Sequence, residues 1–323
     1  MAQGHYRKVE TVLGPVDADN LGVVLVHEHV MVDWIGAELT TPARYEPHEI
    51  VEAALPYLEQ ARQVGVETLL DCTPAFLGRD VSVLQLLAQK TGLHILTNTG
   101  LYGAMDDRFV PAYAFETSAE SLAEAWIQEW EQGIDGTGIR PAFMKIGVDP
   151  GPLSPIDRKL VEAAAITHRA TGLNIHSHTT EAEAGRSQLE LLEALDVPLE
   201  AFVWVHAHNI DDIEALADAA TRGAWIELDG VAPDTVDHHA ELVVELNAQG
   251  HLDRLLLSHD AGCYQVGEPG GAPESFRGYN TISTTLLPEL INRGMKDHEM
   301  RKLLVDNPRR LLAAGNGSIA PGG

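Results

Sequence analysis

The sequence is poor in cysteine, and Cys72 and Cys263 are its two thiols among 323 residues. Two cysteines so far apart in the chain do not make a disulfide framework, so we expect a cytoplasmic protein. The chain also lacks an apolar run of roughly 18 residues that could span a membrane. Residues 1–8 lack the apolar stretch of a secretory signal. We therefore expect neither export nor membrane insertion.

Basic side chains are scarce as well, because 22 lysines and arginines stand against 48 aspartates and glutamates, for a formal net charge of −26. Such an acidic surface repels the phosphates of nucleic acids and the head groups of anionic lipids. We therefore expect no nucleic-acid partner and no membrane partner, and we interpret the acidity as an aid to solubility.

Apolar residues make up 45% of the chain, which is enough for a large core. Short apolar runs alternate with amphipathic helical stretches, and this alternation indicates βα units around a parallel sheet. The predicted strands are 23–27, 68–73, 94–99, 142–148, 173–178, 201–206, 224–229 and 254–259. The predicted helices are 47–64, 118–132, 155–171, 182–195, 210–222, 235–249 and 297–314. Eight units predict an α/β fold of the (β/α)8 TIM-barrel type, as one domain over residues 1–323.

Two further features are missing, and each removes an alternative. An open doubly wound sheet usually carries a glycine-rich turn after its first strand, whereas here that strand runs into His27-Glu28-His29. The Gly-x-Ser-x-Gly elbow of serine hydrolases is also absent. In a barrel, the Gly- and Pro-rich stretch 262–278 is predicted to be a long loop above the active-site face.

The histidines at the end of the first predicted strand give the clearest local signal for chemistry. Side chains at i and i+2 on a strand point the same way, so His27 and His29 can reach one metal together. Histidines with purely structural roles are common, so the pair alone does not decide the matter. Its place at the C-terminal end of a barrel strand favours a metal site.

Other strand ends carry further potential ligands. His178 ends the fifth predicted strand, His206 the sixth, and Asp260 follows the eighth. Each is a competent ligand for zinc or a similar ion, although each alone could be a capping or hydrogen-bonding residue. Lys145 lies within the apolar fourth strand, where a lysine is costly unless it is paired or chemically changed. Together these strand ends predict a metal centre.

The order of these motifs resembles the phosphotriesterase family of the amidohydrolase superfamily, and within it the phosphotriesterase-like lactonase group. The resemblance runs from about Val9 to the C-terminal helix, and the stretch 136–146 around Lys145 is particularly family-like. It implies a hydrolase with two divalent metals, most simply zinc, with manganese, cobalt or iron as alternatives. It also implies a homodimer, the commonest symmetric assembly.

The resemblance also assigns roles to the residues. Carboxylated Lys145 and a hydroxide would bridge the two metals, His27, His29 and Asp260 would hold the more buried one, and His178 and His206 the more exposed one. Asp260 would accept the proton of the attacking water. His176 and His208 each lie two residues from a predicted ligand, and they remain open as alternative ligands or as neighbours of the site.

The expected substrate is a small ester, and a lactone is the first choice among such esters. A phosphoester, an organophosphate or an amide on the same site is the alternative, and a barrel that only binds ligands is the non-enzymatic one. Gly230 and Asn209 depart from the family pattern, which places an arginine or histidine at the first position and, in phosphotriesterases, a proton-relay aspartate at the second. Tyr102, Trp34 and Arg277 are predicted to contact the substrate, the arginine because a guanidinium suits anionic groups.

Overall fold

The computed structural model describes residues 7–314. Its strands are β1 (Lys8–Val9), β2 (Val16–Asp17), β3 (Val23–Val32), β4 (Val66–Asp71), β5 (His94–Leu96), β6 (Asn98–Thr99), β7 (Phe143–Gly147), β8 (Ile175–His178), β9 (Phe202–Val205), β10 (Trp225–Leu228), β11 (Leu255–Leu257) and β12 (Gly262–Gln265). Its α-helices are α1 (Pro47–Gln63), α2 (Val81–Thr91), α3 (Ala112–Glu116), α4 (Ala119–Gln132), α5 (Pro155–Thr171), α6 (Ala182–Ala194), α7 (Ile213–Arg222), α8 (Val236–Ala248), α9 (Leu287–Asn292), α10 (Asp297–Arg301) and α11 (Asn307–Ala314). The predicted alternation of strands and helices is therefore confirmed.

All strands from β3 onward pair in parallel, in two sheets. One sheet has the order β11-β10-β9-β8-β7-β6, and the other has the order β12-β3-β4-β5. The sheets meet where the chain passes directly from β5 to β6 and again where it passes from β11 to β12. At the second junction the N–H of Asp260 donates to the carbonyl of His27 at 3.0 Å. The C-terminal ends of parallel strands are thereby brought to one side of the molecule.

The alternation of side chains along β3 changes just before the paired histidines. Val24 and Val26 belong to an apolar cluster that also contains Phe143 and Val203, while the register of β3 against β4 shifts between Leu25 and Glu28. A bulge of this kind reverses the in-and-out alternation of a strand. The odd-numbered His27 therefore follows the even-numbered valines towards the same interior.

The helices begin and end at ordinary local signals. At the start of α5, Ser154 accepts from the N–H of Asp157 in a reciprocal capping box, and Pro155 is the first helical residue. Gly172 ends the helix with a φ of 81°, which glycine adopts at little cost. The predicted range 155–171 is confirmed residue for residue.

Two expectations from the sequence need correction, and helix α2 was missed. The third predicted strand is divided into β5 and β6, because one half pairs with β4 and the other with β7. The stretch 262–278 is a loop only in part, since its first residues form β12 on the edge of β3. Helix α2 was not predicted, although Asp80 caps it by accepting from the N–H groups of Ser82 and Val83.

Two smaller points concern the cysteines and the membrane. Cys72 and Cys263 are both free thiols, as expected from their separation in the chain. Among the helices in residues 7–314, none has the length and apolar character needed to cross a bilayer.

Candidate metal centre

The predicted ligand residues come together around one cavity of about 310 Å³ at the C-terminal strand ends. Its lining includes all six residues that the sequence predicts as ligands, namely His27, His29, Lys145, His178, His206 and Asp260. A cavity of about 370 Å³ lies elsewhere, around the Arg79–Glu129 ion pair, and none of these residues lines it. The chemistry of the side chains therefore favours the smaller cavity.

Hydrogen bonds on the far side of three imidazole rings fix how each ring is presented. Nδ1 of His27 donates to Oε1 of Glu227 at 2.6 Å, and Nδ1 of His206 donates to Oδ1 of Asp229 at 2.6 Å. Nδ1 of His29 lies 2.8 Å from the Thr73 hydroxyl, whose own proton goes to a backbone carbonyl. Each ring therefore has Nε2 as its remaining ligand atom, which is the arrangement that metal-binding histidines show.

Two groups of side chains have ligand atoms close enough to share one ion. They are His27 with His29 and Asp260, and His27 with His206 and Asp229, each within 4.8 Å. In the second group, Asp229 is better described as the residue that orients His206. Its Oδ2 accepts from the backbone N–H of His206 at 3.0 Å while its Oδ1 accepts from the ring, so both oxygens are already engaged.

The remaining predicted ligand of the more exposed position also lies in the cavity. The ring of His178 lies 4.3 Å from the ring of His206, centroid to centroid. Burial is the main cause that lowers the pKa of His178, followed by the charges of His206 and Lys145. A neutral imidazole is the form that binds a metal.

Lys145 is 2% exposed, and its Nζ donates to Nε2 of His27 at 3.3 Å. Burial first, and then the charge of Lys145, lowers the pKa of His27 to about 3. His27 is therefore neutral at neutral pH, in agreement with the hydrogen bond that its Nδ1 donates. The lysine amine thus points directly at a ligand atom.

Two of the predicted ligands have unusual backbone conformations. His206 has a φ of 64° and Asp260 a φ of 49°, both in the left-handed region that non-glycine residues seldom adopt. Their N–H groups are held by the Asp229 carboxylate and by the His27 carbonyl, respectively. Strain of this kind, maintained by surrounding hydrogen bonds, is typical of functional sites.

Comparison with known proteins decides the family. The model of the phosphotriesterase family matches residues 7–312, nearly the whole chain. The chain belongs to the phosphotriesterase family. A phosphotriesterase homology protein of Mycobacterium tuberculosis is 29% identical, over 96% of this chain and 99% of its own length. An aryldialkylphosphatase of Saccharolobus solfataricus is 26% identical over 92% and 97%, and an N-acetyltaurine hydrolase of Rattus norvegicus is 26% identical over 94% and 97%. The family and these names indicate a hydrolase, and the predicted family resemblance is confirmed.

The three predicted substrate contacts of this phosphotriesterase-family protein occupy different places. Tyr102 lines the cavity, with its hydroxyl 3.1 Å from Nδ1 of His178, and Trp34 lines it while remaining 40% exposed. Arg277 lines a neighbouring cavity of about 260 Å³ instead. Its guanidinium donates to the backbone carbonyls of His259 and Asp260, so it supports the strand end that carries Asp260.

Sequence reasoning missed the carboxylates at the end of β10 in this phosphotriesterase-family site. Glu227 and Asp229 stand two residues apart at the end of an apolar strand, and each holds a ligand imidazole from a different strand. That i, i+2 spacing of acids was a signal, because such side chains share one face of the strand. Glu28 was missed too, although it is fully buried next to both histidines of β3.

The two histidines left open also have definite positions. His176 is fully buried, and within residues 7–314 neither of its ring nitrogens has a hydrogen-bond partner. Nδ1 of His208 lies 3.1 Å from Oδ1 of Asp229. A β-carbon at Gly230 would lie 2.7 Å from Nε2 of His208, so the glycine makes room for this ring.

Proposed function

We propose that this phosphotriesterase-family protein is a binuclear metal-dependent hydrolase that opens lactones. The observation that carries the proposal is the set of three imidazoles whose Nδ1 atoms are engaged by hydrogen-bond acceptors, which leaves Nε2 as the ligand atom in the cavity that Asp260 and Lys145 also line. A nitrogen and carboxylate donor set of this composition fits zinc, and it also fits manganese, cobalt or iron. The residues present therefore fit the metals that the family implies.

The proposal includes the fold that carries the site. We propose that the two parallel sheets close into a (β/α)8 barrel, formed as one domain. The continuous chain segments at both sheet junctions and the bond from Asp260 N–H to the His27 carbonyl support closure. Closure would bring the C-terminal ends of the parallel strands to one rim, where barrel enzymes have their active sites.

Within this proposal, His27, His29 and Asp260 hold one metal, and His178 and His206 hold the other. The amine of Lys145 would add to carbon dioxide, forming an N–C bond, opening one C=O π bond and releasing a proton, and the carbamate so formed would serve as a further ligand. The buried position of Lys145 against His27 supports this change, because an anionic group is far easier to accommodate beside two cations than an ammonium. When bound, two divalent metals lower the pKa of a water and polarise the bond to be cleaved.

The chain's own residues supply orientation, proton transfer and selectivity. Asp260 has Oδ1 at 3.1 Å from Nε2 of His29 and a side chain 32% exposed, so it can accept a proton from the attacking water and release it to solvent. Trp34, Leu77, Tyr102 and Met105 give the cavity an apolar wall. That wall fits a neutral ester with an apolar substituent better than a charged phosphomonoester.

Amide hydrolysis is the second candidate, favoured by the N-acetyltaurine hydrolase relatives, and organophosphate hydrolysis is favoured by the aryldialkylphosphatase. The test is a panel containing a γ-lactone, a δ-lactone, a dialkyl aryl phosphate and an N-acetyl amide, with metal content measured on the same protein. We expect about two metals per chain and the highest kcat/KM on a lactone. Faster cleavage of the amide or phosphate would reassign the substrate, and a stable protein without metal or turnover would indicate a binding protein.

A variant pair tests the role of Asp260. Asp260→Asn is expected to lower kcat on the best substrate by roughly 10²-fold or more, because the proton acceptor is lost. Asp211→Asn removes an equal charge from an exposed position and should leave kcat unchanged. Equal activity in both variants would remove Asp260 from the mechanism.

A further inference from the structure

Two buried ionisable side chains lie beneath the proposed centre and are not among its proposed ligands. Glu227 on β10 and His176 on β8 are both 0% exposed. Oε2 of Glu227 and both ring nitrogens of His176 have no hydrogen-bond partner within residues 7–314. Nδ1 of His176 lies 3.7 Å from Oε2 of Glu227, so the two groups face each other just beyond hydrogen-bond distance.

We propose that Glu227 is a positioning residue for His27, with His176 as the second partner of its carboxylate. The inference rests on the proposed function, since it concerns how tightly His27 binds a metal. Oε1 of Glu227 lies 2.6 Å from Nδ1 of His27, which makes it the nearer of two carboxylates at that nitrogen. Oδ2 of Asp229 lies 3.1 Å away, and it already accepts the backbone N–H of His206.

The geometry gives Glu227 two effects on His27. Its acceptor oxygen keeps the proton on Nδ1, so that the lone pair of Nε2 is directed at the cavity. The hydrogen bond that it accepts also makes the imidazole a better donor to a cation. The donor–acceptor chain therefore runs from the interior of the fold, through Glu227 and His27, to the metal position.

A purely structural role for Glu227 predicts a different outcome. Burying a carboxylate with one oxygen unpartnered costs stability. Replacing such a carboxylate by an uncharged side chain of similar volume often leaves the stability of the fold unchanged or raises it. If Glu227 were present for stability, its replacement would weaken the metal-free fold. If it positions His27, its replacement weakens metal binding while the metal-free fold stays as stable or becomes more so.

The experiment uses the full chain, stripped of metal and titrated with zinc in competition with a chromophoric chelator. Glu227→Gln is expected to lower zinc affinity by roughly 10- to 100-fold, with an unchanged or higher melting temperature for the metal-free protein. Asp157→Asn is the matched control, because it also neutralises an almost fully buried carboxylate, but on α5. It should leave zinc affinity at the wild-type value.

His176 is tested by a double-mutant cycle. His176→Phe keeps a ring of similar size next to Phe143, whose ring centroid lies 4.7 Å from that of His176. We expect it to lower zinc affinity in the wild-type background and to have no further effect in the Glu227→Gln background, because its influence passes through Glu227. Additive losses would show that His176 acts separately and would overturn its role as partner of the carboxylate.

The outcomes separate this inference from the proposed function. Wild-type protein that takes up no zinc would overturn the proposed function. If the wild type takes up zinc and Glu227→Gln binds zinc equally well, only the positioning role is overturned. The same holds if Glu227→Gln loses zinc affinity and loses as much stability of the metal-free fold. Should Glu227→Gln not fold, Glu227→Asp keeps the carboxyl group but withdraws it by one methylene. It is then expected to fold and to bind zinc more weakly than wild type, and wild-type affinity would overturn the role.

Discussion

At the scale of single residues, neighbouring acidic side chains repel one another, as expected in a chain with so many carboxylates. Asp107 has a φ of 59° and a buried Oδ1 that has no hydrogen-bond partner within residues 7–314. Burial first, then the charges of Asp157, Asp149 and Asp106, raises the pKa of Asp107 to about 6. Asp106, by contrast, donates its N–H to the carboxylate of Asp149 at 3.2 Å. Hydrogen bonds therefore stabilise this loop, whereas repulsion between its carboxylates destabilises it.

Asp107→Asn is expected to stabilise the protein at pH 7.5 and to leave its stability at pH 4 nearly unchanged. An unfolded aspartate titrates at about 4, whereas Asp107 in the folded chain titrates at about 6. The folded chain thus holds more protons between those values, and stability falls as the pH rises from about 4 through 6. The gain should be below about 1 kcal/mol, because the side chain is partly solvated.

Urea unfolding at the two pH values measures this change. Asp234→Asn is the control, since it removes the same charge from an exposed position. An equal gain in the control would mean that relief of the net charge of −26, and not the local cluster, is responsible.

At the scale of secondary-structure elements, helix α6 shows where packing overrides local preference. Gly185 lies within this helix, and a β-carbon there would overlap the indole ring of Trp204 on β9. Nε1 of Trp204 donates to the carbonyl of Thr179 at 3.1 Å, so the ring is fixed in place. The glycine allows the helix to pack closely against the sheet.

Gly185→Ala is expected to destabilise the protein by about 1–3 kcal/mol through overpacking. In an open helix the same change would stabilise by about 1 kcal/mol, because alanine is the better helix former. Glu183→Ala, at an exposed position of the same helix, should change stability by less than about 0.5 kcal/mol. Thermal and urea unfolding give both values, and a Gly185→Ala protein as stable as wild type would contradict the close packing.

At the scale of the whole molecule, one buried carboxylate joins the last strands to the first. Glu28 on β3 accepts four hydrogen bonds from the segment that carries Asp260: from the Ser258 hydroxyl, from the backbone and ring N–H groups of His259, and from the N–H of Ala261, at 2.7–3.0 Å. Glu28 therefore fixes the junction between the two sheets, directly beneath the candidate site.

Glu28→Gln is expected to destabilise the fold by about 2 kcal/mol or more, because the amide group turns one of its two ends into a donor that faces other donors. The loss should be seen in urea unfolding of the metal-free protein, so it does not depend on ligand binding. Glu52→Gln, at an exposed position of α1, is the control and should be nearly neutral. Wild-type stability in Glu28→Gln would show that the junction is held by the backbone alone.

The homodimer and the cytoplasmic location stay predictions.

The sequence by itself determined most of the elements and the main candidates for the site. Hydrophobic periodicity and capping residues are local properties, so α5 could be placed residue for residue from Ser154, Pro155 and Gly172. Ligand-type side chains at strand ends could be recognised because parallel strands bring those ends together. The resemblance then supplied the family, which comparison over residues 7–312 confirmed.

The tertiary structure alone decided what depends on contacts between distant residues. The bulge before His27, the pairing of β12 with β3, and the partners of each imidazole all join segments far apart in the chain. Glu227 lies 200 positions from His27, and a sequence carries no local mark of such a hydrogen bond. Periodicity is set by neighbours along the chain, whereas the orientation of a ligand side chain is set by groups that only folding brings into reach.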